Sequence, residues 1–308
     1  MNYSPMDSIH PMHEHPAGFA AMWSPGLLLA TILIGFIYFY FIGPMRSRFT
    51  GSSPVPIRKK LYMITALLLF YGAQGSPIGY YSHTDLFSAH MLQQSIIYLM
   101  IPPLVILALP TWFIRPLFMK RWMRKWIYPI TQPLVAVLVF NLMFSLYHIP
   151  LVFNFAFDRP ALHLGYHIFL AIAAFHMWFP IFCPIPEWNR ISDLQKMAYV
   201  FVNGVLLTPA CALIIFAKTL LFPGYAAGTE ALGLLSPLDD QQLGGTLMKI
   251  FQEIVYGVTL AYIFFKWYNR EKREDYDEQV TMDRLNHEKL IDQKNNDQKI
   301  TVIKPVPQ

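Results

Sequence analysis

Histidine is the residue type in this sequence with the widest capacity for chemistry, and its spacing suggests a cluster. Ten histidines occur among the 308 residues. His163 and His167 are four residues apart, so in a helix they share one face, separated by about 6 Å along the axis. His90 and Gln94 are related in the same way, and the short connection after His148 can bring its ring to His163. We therefore expect imidazoles from three helices to meet in one layer.

Neutral imidazole binds copper, zinc, iron and nickel, and nearby sulfur narrows this choice. Met91 follows His90 directly, and four methionines lie among three histidines in the first 22 residues. Thioether sulfur favours Cu(I) and is rarely a zinc ligand. We predict a copper site, with Cu(I) favoured, whose ligands come from the set His83, His90, His148, His163 and His167. We expect three further residues to support these ligands, namely Gln94, Met91 and Asp240.

Two other interpretations of the histidines stay open. Each ring could form only hydrogen bonds across a helix bundle, to residues such as Gln94, Asn141 or Tyr147. An imidazole inside a membrane is costly, however, and is by default a candidate functional group. Four of them in one layer favour metal binding, because no packing requirement explains their clustering. The other interpretation is a haem with two axial histidines, for example His90 and His167.

The composition indicates what kind of protein holds these residues. The chain is 55% hydrophobic and only 14% charged, against about 25% charged residues in soluble domains. Its apolar residues form runs of roughly 18 to 25, long enough to cross a bilayer as helices, and they lack the alternation of barrel strands. We predict an all-α, polytopic bundle of seven transmembrane helices, over Ser24–Gly43, Leu61–Tyr81, Leu86–Pro110, Ile130–Ile149, Ala161–Cys183, Ala198–Phe222 and Leu243–Trp267.

The basic residues predict how these helices are oriented. Lys and Arg collect on the cytoplasmic side of membrane proteins. Of the 24 Lys and Arg residues, 21 either follow the first, third or fifth predicted span or lie from Lys266, at the end of the seventh, onward. This alternation indicates an N-terminus outside and a C-terminus in the cytoplasm, and it assigns the basic excess to topology rather than to nucleic-acid binding. We expect an extracytoplasmic segment over residues 1–23, a transmembrane domain over 24–268 and a charged cytoplasmic tail over 269–308.

Two residues of opposite charge lie one turn apart inside the last predicted span. Lys249 and Glu253 are four residues apart, so they share a helix face. A charge within a membrane segment usually has a partner. We predict that these two side chains pair with each other.

Several sequence motifs carry a resemblance to a known family. They are His90-Met-Leu-Gln with Ile101-Pro-Pro-Leu, Tyr147-His-Ile-Pro, Pro160-Ala-Leu-His-Leu-Gly-Tyr-His, Trp178-Phe-Pro, and Asp240-Gln-Gln-Leu-Gly-Gly-Thr-Leu-Met. Over essentially all seven spans the chain resembles the integral-membrane CtaG family of cytochrome c oxidase assembly factors. The resemblance places six residues on family motif positions, namely His90, His148, His163, His167, Asp240 and Met248. Many members have a second histidine where this chain has Gln94.

The resemblance implies a function in the maturation of haem-copper cytochrome c oxidase in a bacterial cell membrane. Copper bound at the outer face would be delivered to the catalytic subunit, so the expected partners are that subunit, a copper donor protein and membrane lipid. A haem-binding membrane redox protein and a metal-free scaffold for oxidase assembly are the alternatives. No nucleophile with its base, phosphate-binding glycine loop or pair of catalytic carboxylates stands in a suitable place, so we expect no enzymatic activity.

Overall fold

Every regular element that the structure describes is a helix. The computed structural model describes residues 19–83 and 85–302, and over these residues the all-α prediction is confirmed. Two π-helical turns, Ile96–Met100 and Met123–Ile127, lead into α5 and α7. The α-helices are, in chain order, α1 (Pro25–Ile42), α2 (Ile57–Gln74), α3 (Pro77–Tyr81), α4 (Phe87–Ser95), α5 (Ile101–Ala108), α6 (Thr111–Phe118), α7 (Tyr128–Ile130), α8 (Pro133–Tyr147), α9 (Pro150–Phe157), α10 (Pro160–Phe182), α11 (Asp193–Ile215), α12 (Ala226–Leu232) and α13 (Pro237–Val302).

Five of these helices are long and apolar enough to cross a membrane. They are α1, the continuous helix from α4 to α5, α10, α11 and the first part of α13. A sixth candidate is bent, because residues 123–130 meet α8 at 64°. Helix α2 is as long as α1, but Arg58, Lys59 and Lys60 lie in its first turn and shorten its apolar length. The chain is therefore a helical membrane protein with five candidate spans among the residues described.

Two predicted spans differ from the observed helices at their ends, because capping side chains begin a helix there. The span predicted over Leu61–Tyr81 is divided, because Ser76 caps a separate short helix that begins at Pro77. The span predicted over Ala198–Phe222 corresponds to α11, which begins earlier with a capping box at Ser192 and also ends earlier. A hydropathy pattern contains no information on helix caps, so the predicted ends of these spans are displaced from the observed helix ends.

A proline in α5 removes a helical hydrogen bond, and a neighbouring helix replaces it. Pro102 has no N–H, so the carbonyl oxygen of Tyr98 loses its partner within the helix. The indole Nε1 of Trp178 in α10 donates to that oxygen at 3.0 Å. Trp178 is fully buried. This bond fixes the Ile96–Met100 turn, and with it Tyr98, against α10.

The core of the bundle lies between the α4–α5 helix, α8, α10, α11 and α13. Helix α13 packs against α4 and α11, whereas α10 packs against α8 and α5. Most of the largest fully buried side chains are aromatic, namely Trp178, Tyr98, Tyr147, Tyr225, Phe87, Phe140, Phe153 and Phe222. Helix α1 lies at the edge and exposes most of its apolar side chains. Rigid rings therefore surround the part of the bundle that holds the histidines.

Helix α13 approaches α4 closely at Gly244. A Cβ atom at this position would lie 2.8 Å from Cδ1 of Phe87 and 3.0 Å from Cγ of Met91. Both of those side chains are fully buried and have no space into which to move. The missing side chain of Gly244 therefore allows α13 to pack directly against the helix that carries His90.

Asp240 of α13 holds the start of α4. Its buried carboxylate accepts hydrogen bonds from the N–H groups of Phe87 at 2.7 Å and Ser88 at 3.3 Å, and from the Ser88 hydroxyl. The first N–H groups of a helix have no partners within it, and the helix dipole favours an anion there. Leu86, at the N-cap of α4, cannot supply this acceptor. A residue from a distant part of the chain therefore caps the helix that carries His90.

Charged contacts also hold α13 near its middle. The buried carboxylate of Asp193, the first residue of α11, lies 2.8 Å from Nη1 of Arg270 and 3.6 Å from Nζ of Lys266. Lys196 lies at 3.8 Å from the same group. Helix α13 continues past these contacts to Val302, and its side chains are exposed from residue 268 to residue 291.

We expect Gly244→Ala to lower the thermal unfolding midpoint of the detergent-solubilised protein. The added methyl group overlaps Phe87, and overpacking of this kind costs about 1–3 kcal/mol. Gly257→Ala, in the same helix, is the matched control because a Cβ atom there meets nothing within 4 Å. Alanine also has the better helix propensity, so the control variant should be as stable as the parent or more so. Equal midpoints for the two variants would contradict this account of the contact.

Replacing Asp240 with alanine should loosen the start of α4. The N–H groups of Phe87 and Ser88 would be left buried without an acceptor, which costs about 1–3 kcal/mol for each group. Hydrogen exchange at these two amides should accelerate, and the unfolding midpoint should fall. Asp239→Ala is the control, since Asp239 is exposed and bonds only to the nearby Ser236. Unchanged amide protection in Asp240→Ala would rule out the capping role.

Candidate metal centre

Three histidines from two helices meet near the starts of those helices. His90 is in the first turn of α4, and His163 and His167 are in the first turns of α10. One ring nitrogen of each lies within 4.8 Å of those of the other two. His90 is buried, whereas the other two are half-buried. The structure thus brings together three of the predicted ligand residues, here called the imidazole cluster.

The hydroxyl group of Tyr147, the last residue of α8, lies among these nitrogens. Its oxygen is 2.8 Å from Nε2 of His163, 3.0 Å from Nε2 of His167 and 3.2 Å from Nε2 of His90. The Nε2 atoms of His163 and His167 are 3.2 Å apart. Two nitrogens bound at about 2.0 Å to one tetrahedral ion lie about 3.3 Å apart. The third helix therefore contributes a tyrosine, and the spacing of His163 and His167 matches that of two ligands of one ion.

Two prolines explain why the end of α8 lies beside the start of α10. Pro150 and Pro160 each occupy the first turn of a new helix. An N–H group at that position has no acceptor within the helix, so a proline there costs no hydrogen bond. The chain therefore turns at both ends of the short helix α9, and α10 returns alongside α8. The hydroxyl of Tyr166 donates to the carbonyl oxygen of Met143 at 3.1 Å and ties the two helices together. Tyr147 is thereby held against the histidines of α10.

Gln94 and Tyr98 continue the stripe of His90 in steps of four residues. The amide nitrogen of Gln94 is 2.6 Å from Nε2 of His90, and the hydroxyl of Tyr98 is 2.6 Å from Nδ1 of His167. A hydrogen bond to one ring nitrogen orients the other, as is typical of metal-ligating histidines. His167 therefore presents Nε2 to the cluster. The Oε1 atom of Gln94 is buried without a hydrogen-bond partner among the described residues, so this side of the cluster can accept a donor or a cation.

Two predicted ligands, His148 and His83, lie outside the imidazole cluster. His148 follows Tyr147 directly, and the two rings are nearly perpendicular at 85°. Its Nδ1 donates to the carbonyl oxygen of Phe144 at 2.7 Å, so Nε2 keeps its lone pair. That atom is buried and has no hydrogen-bond partner in the described part of the chain. His83 is exposed in the turn after α3. The predicted layer of four imidazoles is therefore corrected to three.

The predicted auxiliary residues lie around the cluster rather than on its rings. Asp240 bonds the start of α4 instead of an imidazole, because the helix N–H groups are nearer to it. Met91 points towards Gly244 of α13, and Met248 is buried in the same core. The remaining histidines and methionines of the sequence prediction lie outside the described residues, at His10, His13, His15, Met1, Met6 and Met12.

Aromatic rings enclose the cluster on its other sides. The ring of Phe153 lies 5.7 Å from that of His90, and the ring of Tyr225 lies 5.8 Å from it. Phe157 lies 5.8 Å from His163. An apolar shell of this kind limits the access of water to a metal site. Water therefore has limited access to the cluster on the sides that these rings cover.

Sequence spacing could have identified Tyr98 but not the position of Tyr147. Tyr98 follows His90 by eight residues, two four-residue steps on one helix face, which is a readable signal. Tyr147 stands beside His148, and nothing in the sequence decides which of the two side chains faces α10. The crossing of α8 over α10 decides it.

The predicted pair between Lys249 and Glu253 is confirmed. The ammonium nitrogen lies 2.5 Å from the carboxylate and also donates to the hydroxyl of Thr208 at 2.9 Å. These charges therefore satisfy one another and are not available to the imidazole cluster.

A model of a known protein family matches the part of the chain that holds the imidazole cluster. The family described as cytochrome c oxidase caa3 assembly factor matches residues 36–270. This range contains the whole imidazole cluster together with Tyr147 and Asp240. No curated protein and no solved structure matches the chain. Because the family match covers well over half of the sequence, the chain belongs to the family of cytochrome c oxidase caa3 assembly factors.

Proposed function

We propose that this assembly factor binds a copper ion at the imidazole cluster and supports its delivery to the catalytic subunit of a haem-copper oxidase. One observation carries the proposal: ring nitrogens of His90, His163 and His167 converge within 4.8 Å around one hydroxyl group. Imidazole is a good ligand for copper. The ion is cargo, received from a donor protein and passed on, so the site must hold it and also release it.

The character of the cluster favours Cu(I). Neither a carboxylate nor a thiolate of the described residues completes the group, so its three ligands are neutral. The cost of moving an ion into a dry interior rises with the square of its charge, about fourfold from a singly to a doubly charged ion. A neutral set of ligands in an aromatic shell therefore suits the singly charged ion better. The thioethers of Met91 and Met248, buried in the adjoining core, add soft surroundings.

The same spacing disfavours a haem. A porphyrin plane has to pass between its two axial imidazoles. The hydroxyl of Tyr147 bonds both His90 and His167 and occupies the space between them. Nε2 of His163 lies only 3.2 Å from Nε2 of His167. These distances suit a single ion and leave no room for a macrocycle.

The proposal includes a topology with seven crossings of a bacterial cell membrane. Helix α2 and the bent segment of residues 123–130 with α8 would join the five candidate spans. The imidazole cluster lies at the starts of α4 and α10, whereas the basic residues from Arg115 to Lys125 follow the far end of α5. Since basic residues collect in the cytoplasm, the cluster would face the outside, with the N-terminus outside and the C-terminus inside.

The hydrogen bonds of the cluster suggest how an ion is released. The hydroxyl of Tyr147 is within reach of all three Nε2 atoms, and the amide of Gln94 reaches that of His90. When copper leaves, the amide of Gln94 can donate to Nε2 of His90 and the hydroxyl of Tyr147 to Nε2 of His163 or His167, so two of the three nitrogens gain a donor at once. When copper binds or leaves, coordination bonds to the ring nitrogens replace hydrogen bonds or are replaced by them, and no covalent bond of the protein changes. The function proposed here thus requires no enzymatic activity.

The double variant His163→Ala/His167→Ala should lose high-affinity Cu(I) binding. Two of the three ligands are removed, so we expect the affinity to fall by more than about 100-fold, beyond the loss typical for an orienting partner alone. Anaerobic competition against a chromophoric Cu(I) chelator measures this on the purified protein. His287→Ala, which removes an exposed imidazole from the charged part of α13, is the matched control and should bind as the parent does.

Unchanged copper stoichiometry and affinity in the double variant would exclude the imidazole cluster as the site. The same variants test the cellular function in a strain that lacks the protein. The double variant should leave oxidase activity low, and added copper should restore part of it. Full rescue by the double variant without added copper would instead indicate a metal-free scaffold.

Tyr147→Phe should retain copper but release it more slowly. Phenylalanine preserves the ring packing and removes the hydroxyl that accepts or donates hydrogen bonds when the ion leaves. Since one such bond contributes about 0.5–1.5 kcal/mol, we expect transfer to a chelator to slow by roughly 2- to 10-fold. Stopped-flow measurement of chelator capture gives this rate. An affinity as low as that of the His163→Ala/His167→Ala variant would show that the oxygen is itself a ligand.

A further inference from the structure

A short basic segment lies at the end of the bundle remote from the imidazole cluster. Residues 119–126 follow α6, and the helical residues 123–130 meet α8 at 64°, so the segment turns away from the direction of the spans. Met123 is its buried anchor and packs with Ile185 and Trp188. Six side chains around it are exposed, namely Lys120, Arg121, Trp122, Arg124, Lys125 and Trp126.

Three of these cations line one surface cavity. Arg121, Arg124 and Lys125 have the spacing of neighbours on one helix face. Together with Met119 they line a cavity of about 490 Å³. None of the three has a carboxylate within 4.0 Å in the part of the chain that the structure describes. Cations held together without a counter-charge repel one another, so the cavity favours an anion.

The surrounding sequence does not neutralise this charge. No Asp or Glu occurs anywhere from residue 86 to residue 157. Glu187, the carboxylate that approaches from another segment, is already paired with Arg115. The hydrogen bond from Arg115, with a smaller contribution from Arg124, lowers the pKa of the Glu187 carboxyl group. Its single negative charge is therefore engaged chiefly by Arg115, and none of the three lining cations has an ion-pair partner among the residues that the structure describes.

Two tryptophans beside the cations indicate contact with lipid. Trp122 and Trp126 are 52% and 63% exposed, and they are one helical turn apart. Tryptophan collects at the boundary between hydrocarbon and water. The ammonium group of Lys125 lies 5.2 Å from the ring centroid of Trp126. Exposed Leu117 and Ile130 continue this apolar surface on either side.

We infer that this cavity binds the headgroup of an anionic phospholipid. Arg121 and Arg124 can each bond two phosphate oxygens, and Lys125 adds a third charge. The exposed indoles and the aliphatic side chains beside them would lie along the acyl chains. A soluble anion would not need these apolar neighbours. The site is independent of copper binding. The bound lipid would hold the bent segment at a fixed depth in the membrane. It would thereby also hold the start of α8, the helix that ends at Tyr147.

Lipid titration of the purified full-length protein, followed by native mass spectrometry, tests this site. Phosphatidylglycerol should bind at least roughly tenfold more tightly than phosphatidylcholine with the same acyl chains. The variant Arg121→Gln/Arg124→Gln/Lys125→Gln should lose that preference. The variant Lys272→Gln/Arg273→Gln/Lys289→Gln, which removes three exposed cations from the charged part of α13, is matched in charge and should keep it.

A second measurement on the parent protein does not depend on how the variants fold. The preference for phosphatidylglycerol should weaken between about 0.1 and 1 M salt, since screening acts on exposed charges. Several results would overturn the inference. They are equal binding of the two lipids by the parent, equal loss in both triple variants, and displacement of phosphatidylglycerol by millimolar inorganic phosphate, which would assign the cavity to a soluble anion. Phosphatidylglycerol binding that appears only after removal of residues 271–308 would also overturn it, because the acidic tail would then be the occupant.

Discussion

Three neutral imidazole nitrogens brought together in a dry core need a shared partner, and the rest of the site follows from this constraint. Lone pairs that face one another repel, and a buried acceptor without a donor is destabilising. The hydroxyl of Tyr147 and the amide of Gln94 supply donors to the cluster. A cation would supply a stronger partner at the same place. The geometry that is costly without a partner is thus the geometry that would suit a metal ion.

Holding the rings at these distances requires support from helices that contribute no ligand. Helix α13 places the carboxylate of Asp240 at the start of α4 and, through Gly244, packs against that helix without a gap. Trp178 replaces the hydrogen bond that Pro102 removes and keeps Tyr98 beside His167. A loosened cap or an added methyl group would shift the imidazoles by a fraction of an ångström, which is enough to change a coordination shell. Residues outside the cluster therefore determine its geometry.

The two ends of the bundle have different chemistry. The end with the imidazole cluster is aromatic, and the buried carboxylate of Asp240 there is used as a helix cap. The other end carries cations, of which some pair with Asp193 and others line the cavity beside Trp122. In the proposed topology this asymmetry would place the cationic end in the cytoplasm, because cations are retained on that side. The proposed lipid site would then lie in the leaflet opposite the copper.

Much of this protein could be predicted from its sequence, for local reasons. Apolar runs of membrane length indicate the helices, since length and hydropathy are properties of a segment alone. Spacing by four residues placed His163 with His167 and Gln94 with His90, and the motifs pointed to the family that the comparison then matched. The pairing of Lys249 with Glu253 follows from the same rule. None of these inferences needs knowledge of a distant part of the chain.

Only the tertiary structure decided which side chains meet. It placed Tyr147 rather than His148 among the ring nitrogens, because the rotation of α8 against α10 determines which of two adjacent side chains points inwards. It gave Asp240 to the backbone of α4 instead of to an imidazole. It also divided the span predicted over Leu61–Tyr81, through the cap at Ser76. Packing determines how helices cross and which residues meet across more than 150 positions of the chain. The local spacing of residues in a sequence does not encode these contacts.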